Sequence, residues 1–221
     1  SIEKALEDSF ELTAESGEVI NAKSVVLATG VTETLPNVKG IENYYGSSIF
    51  SCPFCDGWEM KDRPLVLIAE SVQALHVIKL LKNWTDDLIV ATNGNGIFDA
   101  DQKRLLEANN IRLIEERIVE LKGIDGELQS IVFENGEDIK RSGGFCTTVL
   151  DNKLPFIEQL GIEVNEAGFI ITDAMGHTNI KGIYAAGEIT GPSQLIVSAS
   201  QGHMVGIGII ADSSEESFQN I

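Results

Sequence analysis

Strand-like and helix-like segments alternate between residues 65 and 114, and this alternation restricts the possible folds more than any other feature of the chain. Residues 65–69 form a continuous apolar run, which is typical of a strand buried on both faces of a sheet. A helical spacing of apolar side chains follows, and a second strand, helix and strand come after it. Because repeated strand–helix–strand units build parallel sheets, the sequence predicts an α/β fold.

The rest of the chain includes a meander, further short strands and a long apolar helix. Residues 117–140 alternate apolar positions with glycines and predict a β-meander. Residues 24–28 predict a central strand buried on both faces, and residues 182–188 predict a strand that runs into a turn. Residues 194–211 are apolar with small side chains and predict a closely packed buried helix, followed by a frayed end at residues 212–221.

Charge and composition exclude several classes of function. Acidic residues outnumber basic ones 34 to 16, and the net charge of −18 argues against nucleic acid or an anionic membrane as a partner. We expect no membrane-spanning segment, because no apolar run reaches the necessary length, and no basic-then-apolar leader opens the chain. The cytoplasm is therefore the expected compartment.

Cys52 and Cys55 form a Cys-x-x-Cys motif in the segment SCPFCDGWE. In an intracellular α/β protein such a pair favours a redox dithiol over a structural disulfide, because a structural disulfide stabilises most when it closes a long loop. A zinc site is the alternative, but zinc needs four ligands, and the other candidates, Cys146 and three histidines, are isolated in the sequence. We therefore predict no metal.

Asp56 follows the second cysteine directly and has two interpretations. Thiol–disulfide exchange needs a proton for the departing sulfur, and a carboxyl group whose pKa is raised by burial can carry it. Alternatively, Asp56-Gly57 simply makes a turn. Elsewhere, Cys146 is expected to be a small buried apolar side chain, and His203 is a candidate base towards substrate thiols or an ordinary packed residue.

The order of these motifs resembles the low-molecular-weight thioredoxin reductase family. The strand VVLATG, the dithiol CPFCDG, a Rossmann-like strand–helix–strand unit and the turn AAGE before an apolar helix occur in that family's order. The resemblance implies two Rossmann-like FAD- and NAD(P)-binding domains, each with a mostly parallel three-layer sheet, plus the meander. Residues 1–40 and 149–221 would form part of the FAD-binding domain, and residues 41–148 would be an inserted pyridine-nucleotide-binding-like domain that carries the dithiol.

The resemblance also implies roles for individual residues. Cys55 would lie against the flavin, Cys52 would exchange with the substrate disulfide, and Asp56 would handle the proton. FAD would be bound by residues of the two turns and of the last helix, namely Thr29, Gly30, Gly187, Glu188, Gln194 and Leu195. The substrate would be a disulfide or dithiol on a thioredoxin-like protein or a small molecule, and the protein would be a homodimer.

The chain departs from the family pattern in three places. It lacks the opening strand, the Gly-x-Gly-x-x-Gly turn and the helix that hold the FAD diphosphate, so we expect an N-terminally incomplete FAD domain. In the family a glycine-rich turn follows the strand that ends at residue 68, whereas this chain has AESVQA there. Glu70 therefore places a carboxylate where a pyrophosphate would lie. We also expect Glu70 to cap the helix that follows. Residues 92–99 contain no Lys or Arg to bind the 2′-phosphate of NADPH.

Three functional hypotheses follow from these motifs. The first is a flavin-dependent thiol–disulfide oxidoreductase that passes electrons through Cys52 and Cys55. The second is a dithiol oxidase that uses oxygen and needs no NADPH, and it rests on the missing phosphate-binding turn. The third is a non-catalytic chain that binds no flavin, and it rests on the missing first half of the FAD fold.

Overall fold

The computed structural model describes residues 1–5, 9–151 and 154–219. These residues form two compact units. The discontinuous unit consists of Ser1–Thr32 and Leu150–Ile221, and the continuous unit consists of Glu33–Val149. The domain boundaries expected at residues 40/41 and 148/149 therefore differ by eight residues at the first position and by one at the second from the boundaries of these units. The assignment of the units to FAD and to pyridine nucleotide stays a prediction.

Fifteen strands and five α-helices are present in the described residues. The strands are β1 Ile2–Lys4, β2 Phe10–Thr13, β3 Val19–Ala22, β4 Val25–Leu27, β5 Thr32–Thr34, β6 Ile49–Phe50, β7 Leu65–Ile68, β8 Leu88–Ala91, β9 Arg112–Ile114, β10 Ile118–Ile124, β11 Glu127–Phe133, β12 Asp138–Lys140, β13 Gly144–Cys146, β14 Val149–Asp151 and β15 Ile183–Ala185. The helices are α1 Pro53–Asp56, α2 Ala74–Leu81, α3 Ala100–Ala108, α4 Pro155–Gln159 and α5 Leu195–Gln219, and 3-10 turns occur at Ile41–Asn43 and Gly187–Thr190.

The continuous unit has three layers around a five-stranded parallel sheet in the order β6-β13-β7-β8-β9. All four residues of β7 are fully buried, as the continuous apolar run predicts. Leu65 and Leu67 pack with side chains of α2 and α3 on one face, while Val66 and Ile68 pack against β10 and β11 on the other. The predicted α/β class, the parallel sheet and the meander, which is β10-β11-β12, are confirmed.

The discontinuous unit has an antiparallel sheet β1-β2-β3 and a parallel pair β4-β15. Its core joins Phe10, Leu27 and Ile183 to residues of α4 and of the segment after it. The prediction that residues 24–28 are buried on both faces was wrong, because Val26 is 43% exposed. In the described residues β4 has β15 as its one strand neighbour, and alternate side chains of a strand point to opposite faces, so only Val25 and Leu27 reach the core.

The last helix is longer and more exposed than predicted. Helix α5 continues through the segment expected to fray and is helical to Gln219, yet only Val205 and Gly208 are buried. Gly208 and Gly176 are required for this packing, because a side chain at Gly208 would meet Met175 and one at Gly176 would meet Val205. An 18-residue window of α5 has a mean hydropathy of 1.3, so by length and composition the helix could cross a membrane, contrary to expectation. Length and composition alone are weak evidence for such a helix.

Candidate functional site

The dithiol lies at the start of a single helical turn in the continuous unit. Cys52 and Cys55 form a disulfide, with their Cα atoms 5.3 Å apart. Cys52 is the N-cap residue of α1, and Pro53 occupies the first helical position, where its missing N–H costs nothing. The Cys52 carbonyl accepts hydrogen bonds from the N–H groups of Cys55, at 3.1 Å, and Asp56, at 3.2 Å. Cys55 is exposed and Cys52 is half-buried, so the disulfide lies at the surface of the continuous unit.

Two tryptophans support this turn. Gly57 is buried against Pro53 and the Trp84 indole, and a side chain at Gly57 would overlap both. Trp58 stands edge-on to Trp84 with ring centroids 6.5 Å apart, and the Lys61 ammonium lies 5.4 Å from the Trp58 ring centroid. Trp58 is nevertheless 69% exposed, and Phe54 is 66% exposed. The surface around the disulfide is therefore partly aromatic.

Asp56 is half-buried one residue after Cys55. Burial raises the pKa of its carboxyl group, and the negative charge of Glu59 raises it further. A carboxyl group with a raised pKa holds its proton to a higher pH than an exposed one. Asp56 follows Cys55 directly in the chain, and its role as a proton carrier stays a prediction.

A polar cluster that the sequence did not indicate leads into the dithiol. The Tyr45 hydroxyl donates to the Glu33 carboxylate and lies 3.0 Å from Ser51 Oγ, whose hydroxyl can donate to it, and Thr148 Oγ1 donates to Glu33 Oε1 at 2.7 Å. Burial and the bond to Glu33 raise the pKa of Tyr45. Because Ser51 directly precedes Cys52, this cluster restricts the chain that enters the dithiol turn. Its members are far apart in sequence, so no local pattern could reveal it.

The discontinuous unit has a cavity of about 490 Å³ at the carboxyl ends of β4 and β15. It is lined mostly by small residues and by the start of α5, namely Val26, Ala28, Gly30, Ala186, Gly187, Glu188, Ser193, Leu195, Ser198 and Gly202. Four of the six predicted cofactor residues, Gly30, Gly187, Glu188 and Leu195, are among them, whereas Thr29 and Gln194 are chain neighbours of lining residues. The structure thus brings together segments more than 150 residues apart in the sequence.

Backbone groups at this cavity are partly used and partly free. The Gly187 N–H donates to Gln201 Oε1 at 2.8 Å, and Gly187 itself has a φ of +80°, which favours glycine. At the start of α5, the N–H groups of Val197 and Ser198 donate to the Gln194 carbonyl. Within the described part of the chain, the N–H groups of Leu195 and Ile196 have no protein acceptor, as is usual in the first turn of a helix. They can donate to a ligand.

Helix α5 is held to its sheet by a chain of side chains that sequence reasoning missed. His177 Nδ1 lies 2.8 Å from Asp173 Oδ2, and His177 Nε2 lies 3.2 Å from Asp212 Oδ2, which also accepts from the Tyr184 hydroxyl at 2.6 Å. The bond to Asp173 and the charges of Asp173 and Asp212 raise the pKa of His177. Asp212 therefore helps to hold α5 to its sheet and is not part of a frayed end.

The segment after β7 differs from its expected form. Helix α2 begins only at Ala74, its N-cap residue is Gln73, and it has no side-chain cap. The expectation that Glu70 caps this helix was wrong, because the Glu70 carboxylate accepts hydrogen bonds from the Asn93 side chain and the Asn37 N–H. Arg117, which no local motif indicated, packs its stem close to Gly94 after β8.

Two other candidate residues lie apart from these sites. Cys146 is buried in the core of the continuous unit, as predicted, and burial raises the pKa of its thiol to about 12. His203 is exposed on α5, and its role as a base stays a prediction. Among the described side chains, no group of three or more His, Cys, Asp or Glu could hold a metal ion.

Comparison with known proteins gives consistent matches over most of the chain. Residues 2–202 match the family described as pyridine nucleotide-disulphide oxidoreductase. The crystal structure of TrxB from Bacillus anthracis, assigned as a thioredoxin reductase, is 41% identical with a TM-score of 0.93, covering 98% of this chain and 73% of that one. An oxidoreductase from Agrobacterium tumefaciens is 32% identical with a TM-score of 0.82, covering 93% and 69%. Thioredoxin reductase from Helicobacter pylori is 27% identical over 217 residues, which are 91% of this chain and 70% of that protein.

Proposed function

The chain belongs to the pyridine nucleotide-disulphide oxidoreductase family as a thioredoxin reductase-like member, and from this premise we propose that it is a flavin-dependent thiol–disulfide oxidoreductase. The resemblance inferred from the sequence and the assignment as an oxidoreductase are confirmed by these matches. The observation that carries the proposal is the accessible Cys52–Cys55 disulfide with a carboxyl group of raised pKa beside it. A structural disulfide needs neither accessibility nor a proton carrier.

The exchange reaction uses both sulfurs. When the substrate is a dithiol, its thiolate attacks Cys52 Sγ, the disulfide bond breaks, and Cys55 Sγ leaves with the electron pair. The second substrate thiolate then attacks the mixed disulfide and displaces Cys52, so the substrate becomes a disulfide and the protein pair holds two electrons. The reduction of a substrate disulfide is the same sequence in reverse.

Asp56 carries the proton in this scheme. The departing Cys55 sulfur needs a proton or a stabilised thiolate, and a half-buried carboxyl group with a raised pKa can give and retake that proton. Replacing Asp56 by Asn keeps the size and removes the proton, so the exchange rate should fall by about 100-fold or more. Stopped-flow reaction with dithiothreitol measures this rate, and an unchanged rate would leave Asp56 as a turn residue only.

FAD is the cofactor of this family, and the cavity of the discontinuous unit has features that fit part of it. Gly30, Gly187 and Gly202 have no side chains, which leaves room for a flat ring. The free N–H groups at the start of α5 can donate to ring oxygens. The positive end of the helix dipole also favours negative charge there. When bound, FAD supplies two-electron redox chemistry. In the proposal, Thr29, Gly30, Gly187, Glu188, Gln194 and Leu195 hold it.

A second candidate function is a dithiol oxidase that uses dioxygen. The observation that favours it is the segment after β7, which has no glycine between Ala69 and Ala74 and contains the Glu70 carboxylate. In this reaction a substrate dithiol and dioxygen give a substrate disulfide and hydrogen peroxide, so electrons and protons balance without NADPH. In both candidates the substrate is a thioredoxin-like protein or a small molecule, the chain works as a homodimer, and the cytoplasm is its compartment.

The visible absorbance spectrum of the purified chain tests these proposals. A flavin spectrum that dithiothreitol bleaches without oxygen is the expected result for both enzymatic candidates. Bleaching by NADPH would contradict the oxidase, whereas hydrogen peroxide formed from a dithiol in air would support it. A chain that stays colourless after incubation with FAD would overturn the flavin-dependent function and leave a non-catalytic binding role.

A further inference from the structure

Glu70 and Asn93 occupy equivalent places on two neighbouring strands of the continuous unit. β7 ends at Ile68 and β8 ends at Ala91, and these two residues are paired in the parallel register. Each polar residue follows two positions after its strand. In doubly wound sheets, dinucleotides bind at the carboxyl ends of such strands, with the phosphates at the turn after the first one. Glu70 and Asn93 therefore stand where a pyridine nucleotide would lie.

The two side chains are bonded to each other and to the segment that enters the unit. Asn93 Nδ2 donates to Glu70 Oε1 at 3.0 Å and to the Asn37 carbonyl at 3.2 Å, while the Asn37 N–H donates to Glu70 Oε2 at 3.4 Å. The Ile118 N–H donates to Asn93 Oδ1 at 3.0 Å. We call Glu70, Asn93 and Asn37 the carboxylate bridge. It joins the ends of β7 and β8 to residue 37 and to β10.

The bridge uses the protein's own anion in place of a phosphate. The Asn93 amide and the Asn37 N–H could donate hydrogen bonds to a bound phosphate. Both donate to the Glu70 carboxylate instead. None of the ion pairs among the described residues involves Glu70, so its charge would repel a pyrophosphate at this edge. Ala69 is fully buried in the core, and α2 begins five residues after it, so no helix N-terminus lies directly at the strand end.

We infer that the carboxylate bridge occupies the place of a pyridine nucleotide, so that the continuous unit no longer binds one. The unit keeps its fold and serves as a rigid support for the dithiol. The residues at this edge do not fit the NAD(P)H that the family implies. The inference deepens the proposed function, because it leaves thiols of the substrate as the source of electrons. It does not depend on flavin or on turnover.

Two exposed cationic side chains near this edge could bind a phosphate group, which would contradict the inference. Lys39 and Arg117 line a cavity of about 710 Å³ together with Asn93. If a nucleotide bound at this edge despite the bridge, these side chains would be its phosphate contacts. They therefore supply the variants that identify such binding.

The test is calorimetric titration of the purified full chain with NADPH and with NADH. No saturable heat up to about 1 mM nucleotide is the expected result, since useful cofactor sites bind in the range of about 1 μM to 1 mM. Saturable binding with a Kd below about 100 μM that Arg117→Ala abolishes would overturn the inference. Thiol exchange at Cys52 and Cys55, followed with a disulfide reagent, reports the proposed function separately, so the failure of one is distinguishable from the failure of the other.

A pair of variants tests the structural half of the inference. Glu70→Gln preserves the shape of the side chain but replaces one acceptor oxygen by an NH₂ donor. That donor would face either the Asn37 N–H or Asn93 Nδ2, so one hydrogen bond is lost and the midpoint of thermal unfolding should fall. Glu116→Gln is the matched control, because Glu116 is an exposed carboxylate near the same edge without a bond to the bridge. Equal unfolding midpoints for the two variants would show that the hydrogen bonds of Glu70 do not stabilise the fold. If Glu70→Gln does not fold, Asn93→Ser supplies the same comparison.

Discussion

Two edges of parallel strands in this molecule have the same topology and opposite character. The edge of β4 and β15 in the discontinuous unit is open, with a cavity lined by small residues and free N–H groups. The edge of β7 and β8 in the continuous unit is closed by the carboxylate bridge. Both are places where Rossmann-like folds bind nucleotides. The difference shows that the strand arrangement offers a binding place, and a few side chains decide whether it is used.

The largest effect should come from the dithiol of the continuous unit. Replacing Cys52 or Cys55 by Ser should lower the rate of exchange with dithiothreitol by more than about 1,000-fold, because no disulfide can form. Cys146→Ala is the control, since its thiol is buried and should not contribute. Stopped-flow assays measure the rates, and exchange that survives in both serine variants would contradict the proposed function.

The same two variants separate the roles of the cysteines. With FAD bound, Cys52→Ser should leave a Cys55 thiolate beside the flavin and strengthen a charge-transfer absorbance, whereas Cys55→Ser should remove it. The opposite pattern would reverse the assignment of the two sulfurs.

The next effect should come from filling the open edge. Gly202→Leu places a side chain into the cavity, because Gly202 lines it and a Cβ there meets no neighbouring atom. FAD affinity should fall at least about tenfold, which corresponds to about 1.4 kcal/mol. Gly206→Leu, one helical turn further along α5 and outside the cavity lining, is the control. Both changes improve helix propensity by roughly 1 kcal/mol, so equal loss of flavin in the two variants would place the site elsewhere.

A double-mutant cycle should sharpen the description of the closed edge. Glu70→Ala and Asn93→Ala each remove one side of a hydrogen bond to a carboxylate, and the pair should show a coupling free energy of about 1–2 kcal/mol in urea unfolding. Residue pairs that do not interact add within about 0.5 kcal/mol. Additive values for Glu70 and Asn93 would show that the bridge does not couple the two strand ends.

The smallest effect should be a pH dependence at the helix that borders the open edge. Because the pKa of His177 is raised above its ordinary 6.5 by Asp173 and Asp212, its protonated form adds stability below pH 6.5. That contribution is lost as the pH rises through the folded-state pKa. His177→Gln should therefore be less stable than the wild type at pH 6 by less than about 1 kcal/mol, after screening at a partly exposed site. Thermal unfolding from pH 6 to 9 should show this difference shrinking, and a difference independent of pH would exclude a charged His177.

Local patterns predicted the continuous unit well because its strands and helices are adjacent in the chain. The buried run at β7, the helical spacing of α2 and the glycine-broken meander each carry their own signal, and each was confirmed. The same method failed for β4 and α5. Their apolar residues indicate burial in general, but burial depends on what covers each face, and in the described residues Val26 and most of α5 are not covered.

The sequence alone determined the α/β class, the family resemblance and the candidate dithiol with its neighbouring acid, because these depend on residue type and short spacing. It also located Glu70 in place of a glycine. Only the tertiary structure decided what Glu70 does, since its partners Asn37 and Asn93 lie 33 and 23 residues away and no spacing rule joins them. The clusters around Glu33 and His177 were equally invisible, for the same physical reason: hydrogen bonds and charges act over a few ångströms of space, whatever the separation along the chain.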